Sequence, residues 1–264
     1  MPRFLMCRPI YFEVEYEINP WMNQDKPLDR DLAERQWDEL RQTLESLPNV
    51  EIELIEPQAG LPDLVFTANA GVVKDKLFIS SRFRHPERQG ESPHFEHWFA
   101  EHGYQVKLLP NDLQFEGAGD MLKADGTWFG GYYFRTEPQA LAVIAEMLGE
   151  EVLPLRLIDQ HYYHLDTCFC PLDDSIMYYP GAFDEYATAV LREQFPDATE
   201  VTTDEAAYFS CNAVVVGNHI VMNKVSSRLN KIFSDRGFEC HPVSLSEFIK
   251  AGGSVKCLTM RIEG

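Results

Sequence analysis

Apolar positions along this chain alternate between two periods. Residues 28–47 place Leu28, Leu32, Trp37, Leu40, Leu44 and Leu47 at three- to five-residue steps, which is one face of an amphipathic helix. Pro138–Leu148 and residues 186–195 follow the same rule, and 226–233 and 246–251 predict shorter helices. Between them lie short strand-like runs. The run at 71–79, GVVKDKLFI, and the run at 214–222, VVVGNHIVM, each hold two apolar stretches around turn residues and predict hairpins.

Five of the strand-like runs carry a kink of small or polar residues: FTANAG at 66–71, FEGAGD at 115–120, HLDT at 164–167, FSCN at 209–212 and GGSVKC at 252–257. With Asn69, Glu116, His164, Cys211 and Cys257 as markers, the intervals are 47, 48, 47 and 46 residues. Each unit reads as strand, strand, helix, strand, too small to bury its own apolar face. Strand–helix alternation alone imposes some period, so even spacing has a plainer origin too. Five such units in a ring would share one core, with residues 3–7 free to close the circle against the C-terminal unit. The expectation is an α/β fold, a five-bladed pseudo-symmetric α/β propeller of ββαβ units, forming one catalytic domain over residues 1–264. The kinks would then face the axis.

Composition narrows the class. With 45% hydrophobic residues the chain can build a full core, and 12% aromatics argue against disorder. The first residues lack a basic segment followed by an apolar run, and no stretch approaches the roughly 18 apolar residues of a membrane span. Six cysteines show no short-spaced framework, which suits reduced thiols and a cytoplasmic protein. A net charge of -19 offers no basic stripe for nucleic acid and attracts cationic ligands, although acidic surfaces often serve only solubility.

The kinks hold the reactive side chains. Cys257 follows a glycine pair that lets backbone approach a ligand closely, although a lone cysteine is more often an inert core thiol. Lys256 beside it favours a thiolate, but neighbours on a strand point to opposite faces. His164 and Asp166, two apart on a strand, would share one face. Glu116 can orient an imidazole or sit in a solvated turn. The GAG at 117–119 lacks the full dinucleotide-binding spacing. Cys168 and Cys170 read as core, since no second pair completes a metal site. Arg88 and Arg135 are the single arginines that a bidentate carboxylate clamp would need.

In this order, these motifs resemble the guanidino-group-modifying superfamily of arginine deiminases, dimethylargininases, amidinotransferases and arginine dihydrolases, whose fold is the five-bladed α/β propeller. The resemblance runs over nearly the whole chain. It implies that Cys257 is the nucleophile, His164 the general acid and base, and Glu116 the group that holds His164. It also implies that Asp166 and Asn69 bind the guanidinium, that Arg88 and Arg135 grip the α-carboxylate, and that Asp63 meets the amino-acid end. The segment 18–22, with Asn19, resembles the N-terminal lid.

At Asn69 the deiminase pattern has aspartate, whereas TANA occurs in the superfamily's dihydrolases. Asparagine both donates and accepts, so it suits neutral citrulline as well as a cation. The reading is an arginine dihydrolase that releases two ammonia and CO2 to give ornithine. A deiminase or dimethylargininase stopping at citrulline is the alternative, and a non-catalytic binding propeller is the second. No metal or organic cofactor is required, and the partner is a small guanidino substrate. Dimers occur in the superfamily, but no patch here demands one.

Overall fold

The computed structural model describes residues 1–262, and the expected boundary at 264 lies outside them. Five three-stranded sheets stand around an axis. Four are continuous in sequence. They are β3 (Gly71–Lys74), β4 (Leu77–Ser80) and β5 (Gln105–Lys107); β6 (Met121–Ala124), β7 (Thr127–Tyr132) and β8 (Val152–Arg156); β9 (Phe169–Pro171), β10 (Ile176–Tyr178) and β11 (Thr199–Glu200); and β12 (Val214–Val216), β13 (His219–Met222) and β14 (Glu239–Pro242). In each, the first two strands form an antiparallel hairpin and the third returns parallel to the central strand after a helical crossover.

The fifth sheet joins the two ends of the chain. Its central strand β1 (Arg3–Cys7) pairs antiparallel with β15 (Met260–Arg261), at Phe4 with Arg261 and Leu5 with Met260. It pairs parallel with β2 (Glu51–Ile55). The ring therefore closes as the 3–7 pattern predicts, with β1 held as the central strand between β15 and β2.

The helices follow the sequence pattern with small shifts. Arg30–Ser46 starts where the Asp29 side chain accepts from Leu32 N–H, and it buries Ala33, Trp37, Leu40 and Leu44 along one stripe. Pro138–Leu148 begins with a proline whose missing N–H costs nothing there and ends at Gly149 with φ of 65°. Glu185–Gln194 and Ser227–Asp235 form the next two crossovers, and Ser246–Ile249 is a single turn. The pattern did not predict the crossover Ser92–Glu101, where Phe95, Trp98 and Phe99 are buried among polar and histidine positions.

Apolar clusters bridge neighbouring blades, so no unit is self-contained. One joins Leu122 of β6 to Phe169, Met177 and Ile220 of the next two blades. Another packs Trp37, Leu40 and Leu44 with Met6, Val214, Val221 and Leu258, which clamps the closing sheet. Each such side chain stabilises the ring by about 1.5–3 kcal/mol. Cys168 and Cys170 lie in the first cluster, as expected.

The kinks are not strands, which corrects the local geometry expected of them. Thr67–Ala70, Gly117–Gly119 and Leu165–Thr167 are 3-10 turns, and 254–259 forms consecutive turns closed by Leu258 N–H to Ser254 O. His164 caps its turn and Asp166 lies within it, so strand alternation does not aim them. Lys256 and Cys257 are likewise not forced to opposite faces.

Candidate active site

The five kinks meet in a closed circuit of hydrogen bonds. Asn69 Nδ2 donates to Glu116 O at 3.5 Å, and Glu116 Oε2 lies 2.8 Å from His164 Nε2. Asn212 Nδ2 donates to Asp166 O at 3.0 Å, and Cys257 N–H donates to Asn212 Oδ1 at 3.2 Å. Ala68 N–H donates to Cys257 O at 3.2 Å and returns the circuit to the first kink. The first four links join residues 45 to 48 apart, and the last closes the ring between the first and fifth kinks, which is why the sequence spacing looks regular.

Cys257 Sγ lies 3.6 and 3.7 Å from the two Asp166 carboxyl oxygens and accepts from Asn212 Nδ2 at 3.1 Å. Burial, followed by the Asp166 charge, pushes the thiol far up from its ordinary value; Asn212 and Lys256 act in the opposite direction. Burial likewise raises Asp166, to about 7, against the pull of Lys256. The resting sulfur is therefore a neutral thiol next to a carboxyl that titrates near neutrality.

His164 is buried and its pKa is lowered to about 4 by desolvation, which outweighs the Glu116 contact. The imidazole is neutral at pH 7. It donates through Nε2 to Glu116, which leaves Nδ1 as the basic nitrogen. Burial would raise Glu116, but Arg135 and His164 overrule it and hold the carboxyl far below its usual range. Arg135 Nη1 sits 2.9 Å from Glu116 Oε2. Gly119 makes this approach feasible, since a Cβ there would stand 2.3 Å from Asn69 Nδ2 and 3.4 Å from the His164 ring.

A small, largely filled cavity of about 10 Å³ lies beside the thiol. Six of the expected site residues line it: Asn19, Asp63, Asn69, Arg88, Arg135 and Cys257. Glu116, His164 and Asp166 do not line it: Glu116 contacts the lining residues Asn69 and Arg135, Asp166 contacts Cys257, and His164 is joined to the lining through Glu116. The segment 18–22 closes the top. Ile18 O accepts from Arg135 Nη2 at 2.9 Å, Asn19 Nδ2 donates to Ala251 O at 3.0 Å, and Trp21 Nε1 donates to His161 O at 2.8 Å. Gly252, with φ of +84°, leaves room for this segment, because a Cβ would meet Asn19 Oδ1 at 2.9 Å and the Tyr163 hydroxyl at 2.7 Å.

The two arginines already have partners. Arg88 forms a two-point pair with Glu91, at 2.7 and 2.8 Å, and donates Nη1 to Asn69 Oδ1 at 2.9 Å. Asp63 Oδ2 lies 3.8 Å from Arg88 Nε, while Asp63 Oδ1 and the Tyr16 hydroxyl that faces this carboxyl are buried without a hydrogen bond of ordinary geometry. Such atoms cost about 1–3 kcal/mol each until a partner arrives. A cationic group entering here would satisfy the carboxylate.

Sequence reasoning assigned no role to Asn212, Glu91 or Tyr163. Asn212 sits inside one of the marked kinks, Glu91 is one turn after Arg88, and Tyr163 precedes His164. Position next to an assigned residue was the available signal.

A ring of five ββαβ blades with a thiol, an imidazole and carboxyls at its axis defines the class: a five-bladed α/β propeller with a nucleophile-bearing centre. The chain belongs to the dimethylarginine dimethylaminohydrolase family, whose profile, "N,N dimethylarginine dimethylhydrolase, eukaryotic", matches residues 8–263. It is 46% identical over 266 residues to the bifunctional arginine dihydrolase/ornithine cyclodeaminase ArgZ of Synechocystis, an alignment covering 98% of this chain and 37% of that protein. It therefore spans little more than a third of that relative's length. A dimethylarginine dimethylaminohydrolase of Mycobacterium tuberculosis is 42% identical, over 98% of this chain and 85% of that one. Two crystal structures of variants of the ArgZ N-terminal domain superpose with TM-scores of 0.96 at 44% identity, covering 98% of each. One is bound to substrate, in an enzyme described as an arginine dihydrolase, and the other is covalently bound to a reaction intermediate.

Proposed function

We propose that residues 1–264 form one catalytic unit, an arginine dihydrolase working through a covalent Cys257 adduct, and that it acts in the cytoplasm. The observation that carries the reading is the Cys257 thiol against Asp166, with the His164–Glu116 pair on the adjoining kink. The likeness to ArgZ supports the choice of arginine, and its covalently bound neighbour supports an adduct.

Arginine enters with its guanidinium toward the axis. Asp166 and Asn69 hold the nitrogens, Asp63 accepts from the α-ammonium, and Arg88 and Arg135 turn toward the α-carboxylate. The cation supplies the positive charge that the buried thiol lacks, so binding itself favours the thiolate. His164 Nδ1 takes the Cys257 proton as sulfur adds to the guanidinium carbon, and the imidazolium then gives that proton to the departing ammonia. The same imidazole then takes a proton from water, which attacks the thiouronium carbon and frees the sulfur, leaving citrulline. A second round on citrulline expels the second ammonia and leaves a carbamate that loses CO2, giving ornithine. The balance is arginine plus two waters to ornithine, two ammonia and CO2. Lys256, whose pKa burial lowers, lends positive potential to Asp166 and Cys257.

The family profile and the M. tuberculosis relative favour a second reading, methylated arginine hydrolysed once to citrulline. Incubation with guanidino-labelled arginine, and separately with dimethylarginine, distinguishes them. Labelled CO2 and ornithine from arginine are expected; citrulline from dimethylarginine alone would overturn the dihydrolase reading. Loss of all turnover in Cys257→Ser, with the fold intact, is expected as well.

A further inference from the structure

The outer end of one blade carries a second cluster of metal-competent side chains, far along the sheet from the axis. His219 opens β13 immediately after the hairpin turn, whereas the axis-facing Asn212 precedes β12 at the other end. In the parallel pairing of β13 with β14, His219 stands opposite Glu239 and Val221 opposite His241. Residues two apart on a strand share a face, so His219, Glu239 and His241 all project from the same side of the sheet. Cys240, between them, packs against the apolar cluster on the other side.

The side chains converge. His219 Nδ1 lies 3.0 Å from His241 Nε2. Glu239 places its Oε2 3.6 Å from His219 Nδ1 and its Oε1 3.9 Å from His241 Nε2. All the donor atoms fall within 4.8 Å of one another. Two nitrogens bound to one metal at about 2.0–2.1 Å stand roughly 3.0–3.4 Å apart, depending on the angle at the metal. The 3.0 Å contact, an imidazole N–H···N hydrogen bond, gives the pair the separation of two ligands on one ion, and the mostly exposed Glu239 carboxylate stands within 4 Å of both nitrogens. The face they share also carries Val214, Val216 and Val221, buried against the closing blade, so the rings are seated at the rim of a packed surface.

We propose that His219, His241 and Glu239 bind one divalent transition-metal ion of the Zn2+, Ni2+ and Cu2+ group. Two imidazoles with a single carboxylate select such borderline ions over Mg2+ and Ca2+, which take all-oxygen shells. Water fills the remaining positions. The ion ties β13 to β14 at the rim of the ring and takes no part at the axis. Its effect is on stability, because it binds the folded pairing and not the separated strands.

Zn2+ alone is the probe, titrated calorimetrically into the full chain bearing Cys257→Ser, which removes the axial thiol as a competing ligand. One equivalent should bind, with a melting temperature raised at saturation. His219→Ala or His241→Ala in that background should weaken binding about tenfold or more, Glu239→Gln by less, and the thermal shift should disappear with the histidines. Unchanged affinity without either histidine, or no binding up to about 1 mM, overturns the site. Should an alanine variant fold poorly, a Zn2+-soaked crystal of the Cys257→Ser chain decides: an anomalous peak between the two imidazoles supports the site, and peaks only elsewhere refute it.

Discussion

Asn212 holds Cys257 at both ends: its Nδ2 donates to the sulfur at 3.1 Å, and its Oδ1 accepts the Cys257 backbone N–H at 3.2 Å. The same oxygen accepts Lys256 N–H at 3.0 Å. One fully buried amide thus aims the nucleophile and offers it the hydrogen bond that a thiolate needs.

Removing that donor should disfavour the thiolate. In Asn212→Ala, the pH profile of Cys257 alkylation by iodoacetamide should move upward by about one unit, slowing the reaction roughly tenfold at pH 8. An unshifted profile would show that the amide only supports the backbone.

Glu116 organises two neighbours, pairing with the Arg135 cation and orienting the neutral His164. In Glu116→Gln the buried guanidinium loses its counter-charge, which should cost about 3–5 kcal/mol in denaturant unfolding. Turnover should fall by about two to four orders of magnitude, because the imidazole loses its fixed orientation. A variant near wild-type stability would mean that Arg135 finds another partner.

Asp166 sets a pH signature. Its folded-state value is raised from 3.8 to about 7, so the protonated form favours the folded chain. That contribution is whole below the unfolded value and is lost as pH climbs through about 7. Asp166→Asn, which cannot titrate, should therefore gain on the parent by a few kcal/mol between pH 4 and pH 7.5, as read by urea melts. Activity needs the carboxylate, so kcat/KM should show an acid limb near pH 7, well above the value near 4 of His164. A limb near pH 4 would assign the control to the imidazole.

Asn69 spans Glu116 O and Arg88 through both ends of its amide. Asn69→Asp would face the ureido group of citrulline with a second carboxylate, which suits a cation better. Citrulline should accumulate from arginine in that variant, measured by chromatography over a time course. Full conversion to ornithine at the parent rate would remove asparagine from the choice of product.

The repeat was legible because blade length sets the interval between axis-facing residues, and the helical stripe of 28–47 survives as Arg30–Ser46. The crossover Ser92–Glu101 carries the same kind of stripe, with Phe95, Trp98 and Phe99 at i, i+3 and i+4, but its ten residues hold that spacing only once, too short a run to stand out. His219, Glu239 and His241 had no pattern, since parallel register across a crossover brings them together.

Local patterning and residue type along the chain were enough to specify blades, their number and the reactive groups at their kinks, because those depend on short-range periodicity and side-chain chemistry. Which atoms of those groups face one another depends on contacts between residues about 47 apart, as with Asn212 against Cys257. So do the neutral state of His164 and the elevated Asp166, which arise from burial by all five blades. Desolvation and hydrogen-bond geometry are properties of the closed ring, and no segment holds them until the two ends pair at Phe4 and Arg261.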